Sequence, residues 1–218
     1  AAFRFGHSQV RNAYAINDAS GGVRVFSLDP TVPDLRGGRR LPADPLDPDD
    51  PTKQNLVIDF DNFFSELPRE SDDEPALIGR AIDTHIAPSL FELPIPGAEA
   101  SGSNVLAFRN LVRSKFYDVP SGEAIAGAMG VPVVGEPVFP EGTPLWFYIL
   151  REAEMTTGGA ELGPVGGGIV AEVIVDTLRS EGGTIENPNL PDASGGDFTI
   201  GDLLVAADQG IPDHPLVV

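Results

Sequence analysis

Two short stretches hold the residues best placed for chemistry. In AAFRFGHSQVRN (1–12), His7 shares a spacing of i, i+4, i+7 and i+11 with Phe3, Val10 and Tyr14, which puts an imidazole on the apolar face of a helix expected over about 1–16. An imidazole in that position can ligate a metal, or it can be a core histidine satisfied by its neighbours. In RNLVRSKFYDVPSG (109–122), Asn110 is followed by Arg113 one turn later and by Pro120 after ten residues. An asparagine there can orient a ring nitrogen or bond to nearby backbone. Arg4, one turn before His7, and Arg113 offer planar forks that fit carboxylates, or they can snorkel from a helix surface.

The remaining candidates are weaker. His85 and His214 form no ligand cluster with His7, and both read as structural or solvent-exposed. Asp44, Asp47, Asp49 and Asp50 sit in a loop that lacks the glycine and closing glutamate of a twelve-residue calcium loop, so a solvated acidic loop is expected. Gly158-Gly159 and the glycines around 163–168 are not followed by Gly-Lys-Ser/Thr, which excludes the usual phosphate cradle. Glycines 166–168 are expected to allow a close helix approach at Trp146, itself a core residue of an all-apolar run.

The elements that must position these groups read as helical blocks joined by long Pro/Gly/Asp-rich connections, a mainly α fold with little or no β. Beyond the first helix, helices are expected near 56–67, 74–85, 104–117, 122–129, 144–155, 164–180 and 199–208, with a short strand over 21–28 and a proline- and aspartate-rich loop over 29–51. Pro144 and Pro164 suit a first helical turn, with Thr143 and Gly163 before them as caps. The stretch 130–142 is expected to be extended and to end at a turn.

Composition narrows the partners. The 218 residues carry 33 acidic against 14 basic side chains, a formal net charge of −19, so phosphate-rich surfaces would be repelled and nucleic-acid binding is not expected. With no cysteine, disulfides and thiolate metal sites are excluded within this sequence. The longest apolar run, Leu145–Leu150, is too short to span a bilayer.

FRFGH (3–7) resembles the proximal-histidine motif of the animal-type haem peroxidases, the family of myeloperoxidase and peroxinectin, in its bacterial branch. The Asn110, Arg113 and Pro120 spacing resembles the family's later Asn-x-x-Arg helix. RAIDTHIAPSLFELP (80–94), TPLWFYILREAEMTTGGAELGPVGGGIVAEV (143–173) and DFTIGDLLVAA (197–207) are similar to further blocks of that branch. The resemblance implies that residues 1–218 are the C-terminal, proximal-haem part of a single peroxidase domain. It also implies that the upstream distal half, with its own histidine and calcium loop, is a separate or cleaved chain and the main partner. After Arg113 the sequence departs from the vertebrate members, which carry an arginine-aspartate-histidine-glycine run where Ser114 to Asp118 stand here.

The implied cofactor is haem b (iron protoporphyrin IX), with His7 as its axial metal ligand, Asn110 as acceptor for the other ring nitrogen, and Arg4 and Arg113 toward the propionates. A neutral amide draws the ring proton less than a carboxylate would, which keeps oxidised iron strongly oxidising. The implied activity is reduction of hydrogen peroxide with oxidation of a small donor (halide, thiocyanate or phenol), possible only together with the upstream half. Arg4 stands where the family's fatty-acid oxygenases carry a radical tyrosine, which disfavours that chemistry and leaves Tyr14 as a possible electron donor. Family habit implies secretion. The alternative from another class is a structural or adhesive protein that keeps the fold without turnover.

Overall fold

The computed structural model of the chain describes residues 2–16, 22–27, 34–35, 60, 63, 79–97 and 101–180. The chain divides into two compact units, Ala1–Asn12 with Gly79–Ile185, and Ala13–Ile78 with Glu186–Val218. Among the described residues the structure is mainly helical, as expected.

The first unit is organised around one helix. A 3-10 turn, Ala2–Phe5, leads into a single α turn, α1 (Gly6–Gln9); another 3-10 turn covers Pro88–Phe91. Four longer helices follow: α2 (Leu106–Phe116), α3 (Gly122–Met129), α4 (Leu145–Thr157) and α5 (Pro164–Ser180). The α4 sequence LWFYILREAEMTT is apolar over its first two turns, so it can be buried on nearly every side. Leu145, Trp146, Tyr148, Ile149, Leu150, Glu152 and Ala153 are all buried, and the first 3-10 turn, α2, α3 and α5 pack around them.

Small residues permit the close approaches. A Cβ at Gly166 would lie 2.7 Å from Ile149, and one at Gly122 would overlap the Tyr148 ring. The expected glycine contact between α4 and α5 therefore forms, but at Ile149 and not at Trp146. The start of α5 is held from a distance: the buried Glu152 carboxylate accepts from the backbone N–H of Val165 at 3.1 Å and of Gly166 at 3.2 Å. Those donors have no partner within a first helical turn, so a remote acid does the work of a local cap. At α4, Pro144 is itself the cap residue; Thr143 is buried, its N–H donating to Glu123 at 2.8 Å and its hydroxyl accepting from Val138.

Sequence periodicity located α2, α3, α4 and α5 within a residue or two, and two other helices need correction. The first helix ends at Gln9, not near Ile16, because Val10 turns extended (φ −68°, ψ 134°). The chain there is drawn into hydrogen bonds with a distant segment: the Gln9 amide donates to the Arg80 carbonyl at 3.1 Å and Arg80 donates to the Val10 carbonyl at 3.0 Å. Residues 79–85, the end of the helix expected over 74–85, are irregular, with the Thr84 N–H and hydroxyl both donating to Glu154. Residues 130–142, expected to be extended, form neither helix nor strand; the expected turn closes at Gly142, whose N–H donates to the Phe139 carbonyl at 2.9 Å. The helix expected near 199–208, most of that near 56–67, and the acidic loop lie outside the described residues.

In the second unit, β1 (Ala13–Ala15) pairs antiparallel with β2 (Gly22–Arg24), Tyr14 opposite Val23. β2 is the core of the strand expected over 21–28; β1 replaces the end of the expected first helix. Ile16 and Val23 are buried, and the Tyr14 ring lies 6.3 Å from that of Phe63.

Candidate functional site: a histidine, an amide and arginines at a cleft

Helix α2 presents Asn110 inward, 2% exposed, while Phe108, Leu111, Val112 and Phe116 remain exposed. Its burial demands hydrogen bonds, and both come from the N-terminal turn. The Asn110 amide nitrogen lies 3.1 Å from His7 Nδ1, and the amide oxygen accepts from Arg4 Nη1 at 2.8 Å. The fold thus joins two groups 103 residues apart in sequence. Three of the four residues singled out by sequence form one hydrogen-bonded chain: Arg4, Asn110, His7.

The polarity of that chain follows from its first member. A guanidinium has donors only, so the atom facing Arg4 is the amide oxygen, and the atom facing His7 is the amide NH2. His7 Nδ1 accepts that bond, and the neutral ring carries its proton on Nε2. The resemblance implies the reverse, with the asparagine oxygen accepting from Nδ1. The structure corrects this detail while bringing together the predicted pair.

His7 is half-buried, and its pKa is held below the ordinary histidine value, first by burial and then by the Arg4 charge. A neutral imidazole is the form that can ligate a metal. It lines a cleft of about 660 Å3 together with Arg4, Asn110 and Arg113. Phe108, Val112, Phe116 and Tyr117 supply apolar wall, and Arg113 lies over the Tyr117 ring at 5.9 Å.

Sequence reasoning missed two contributors. Arg109 also lines the cleft, donating to the Ser103 carbonyl at 3.1 Å; its i, i+4 spacing with Arg113 was the available signal. Trp146, read as core and indeed 4% exposed, donates its indole N–H to the Arg4 carbonyl at 3.1 Å. That bond ties the turn carrying the site to the central helix, and no sequence pattern announces it. Tyr14 lies on β1, so it shares no helical face with His7. His85 is exposed, 3.7 Å from Asp83, as expected, and His214 lies outside the described residues.

These residues supply the groups that one face of a haem needs, an imidazole on a cleft with an apolar wall and arginines available for two carboxylates, but in the tautomer found here the ring would ligate only once Nε2 gave up its proton. An axial site needs only one protein ligand on this side. Among the described residues no group of three or more His, Cys, Asp or Glu side chains is placed to hold a metal ion, and no helix is long and apolar enough to cross a membrane.

The sequence matches no protein-family model, and neither curated proteins nor solved structures match it significantly.

Proposed function

We propose that this chain provides the proximal side of a haem peroxidase site, with His7 as axial ligand, Asn110 as the hydrogen-bonding partner of its ring, and Arg4 and Arg113 as carboxylate partners of the propionates. The observation that carries the reading is the 3.1 Å contact of His7 with Asn110 on the wall of a cleft edged by arginines. It pairs the two residues that the motifs pair, 103 residues apart in sequence.

When bound, haem b would supply the redox chemistry: hydrogen peroxide takes up two electrons and two protons and leaves as two waters, the electrons coming from a halide, thiocyanate or phenol. The chain's own residues hold and orient. The lowered pKa keeps His7 neutral; Asn110 fixes the ring plane; the arginines supply positive charge that an otherwise acidic chain lacks. Peroxide cleavage also needs a distal base and a charge-stabilising donor. The reading assigns these, together with a calcium site, to the upstream half as partner, and places the assembly outside the cell.

A second reading, a structural or adhesive protein retaining the fold without turnover, is favoured by the polarity found here, because a ring protonated on Nε2 does not ligate through that nitrogen. Peroxide consumption by the chain assembled with its upstream half and haem, with bromide, thiocyanate and a phenol offered in turn, separates the two. Turnover that His7→Ala abolishes supports the enzyme; a haem-loaded assembly with no turnover for any donor supports the scaffold.

A further inference from the structure

We propose that Arg4 is a positioning residue that sets the tautomer of His7 through Asn110, so that capture of a carboxylate by Arg4 makes the ring competent to ligate. The inference rests on the haem reading and adds a step to it. In the structure Arg4 Nη1 donates to the amide oxygen at 2.8 Å, which leaves only the amide NH2 to face His7 Nδ1 at 3.1 Å. Turning the amide while Arg4 stays in place would set NH2 against a guanidinium N–H, two donors face to face in a buried position. As long as Arg4 holds the oxygen, Nε2 keeps its proton and has no lone pair to offer.

A carboxylate is a better partner for a guanidinium than a neutral amide, because both partners are charged and the fork can bind both oxygens. A propionate at Arg4 would draw the guanidinium off Asn110, and the freed amide could turn about its terminal torsion. Its oxygen would then accept from Nδ1. The imidazole gains a proton from water at Nδ1 and loses one to water at Nε2, with no net change in charge. Cofactor recognition at the edge of the cleft thereby precedes ligation at its centre. The coupling comes from Arg4 and the ring facing different atoms of the buried Asn110 amide: in one orientation its oxygen faces Arg4, and in the turned one it faces the ring.

The test is two-bond proton–nitrogen NMR of the full chain labelled with 15N-histidine, at about pH 8 where unperturbed histidine is neutral. His7 is assigned by comparison with His85→Gln and His214→Gln. The probe is metal-free protoporphyrin IX, which has the carboxylates but no iron to pull on the ring. Expected are an Nε2–H ring in the free chain, loss of that preference in Arg4→Ala, its recovery in Arg4→Lys, and conversion to Nδ1–H when the metal-free porphyrin binds. An Nδ1–H ring in the free chain, an unchanged ring in Arg4→Ala, or a retained Nε2–H with porphyrin bound would each overturn the inference and leave the haem reading standing. Binding of haemin but not of the metal-free porphyrin would overturn the carboxylate step in the same way. Binding of neither, by the chain alone and by the chain together with the proposed upstream half, would overturn the haem reading itself.

Discussion

At the residue scale, the behaviour of His7 follows from its surroundings. Burial and Arg4 lower its pKa, so the folded chain favours the neutral ring more than the unfolded chain does. The stability this contributes is fully present above the ordinary histidine value of about 6.5 and is lost as pH falls through the lower folded value. Urea midpoints measured across that window should decline toward acid in the native chain, and the His7→Ala variant should lose that part of the slope. Asn110 and Arg4 make a different demand. With Asn110 2% exposed, Asn110→Leu removes the partner of two polar groups at once and should cost about 2–3 kcal/mol by denaturant titration. The site was legible in sequence to the extent that a motif could name its members: Arg4, His7 and Asn110 meet, and Arg113 lines the same cleft. The direction of the amide was not legible, since it depends on which donor a third residue aims at it.

At the element scale, distant side chains decide where helices begin and end. Glu152 holds the start of α5, and Glu152→Ala would leave two buried N–H groups without an acceptor; a loss of about 2–4 kcal/mol is expected, read as a lowered midpoint of thermal or urea unfolding. Past the end of α2, Asp118 adopts φ 49°, a left-handed conformation that aspartate tolerates and β-branched residues resist. Asp118→Val should destabilise by roughly 1–2 kcal/mol in the same assay. Elements whose ends carry local signals were readable: α3 has its Ser121 cap, whose hydroxyl accepts from the Ala124 N–H, and its Gly130 stop. Elements ended by remote partners were not. Nothing near Gln9 signals that Arg80 will take up the next carbonyl, and nothing near Thr84 signals Glu154.

At the scale of the whole molecule, an acidic chain gathers Arg4, Arg109 and Arg113 around one cleft with an apolar wall, and fastens the turn carrying its histidine to the most buried helix through Trp146. This arrangement suits a planar, apolar, doubly anionic ligand better than a free metal ion. The direct test is titration of the chain with haemin, alone and in company with the upstream half proposed as its partner, followed by absorption spectroscopy of the native protein and of His7→Ala. A histidine-ligated Soret band that is lost or shifted in His7→Ala, and restored by added imidazole, is the predicted result. A spectrum that is the same with and without the His7 side chain would contradict the assignment of His7 as the iron's ligand.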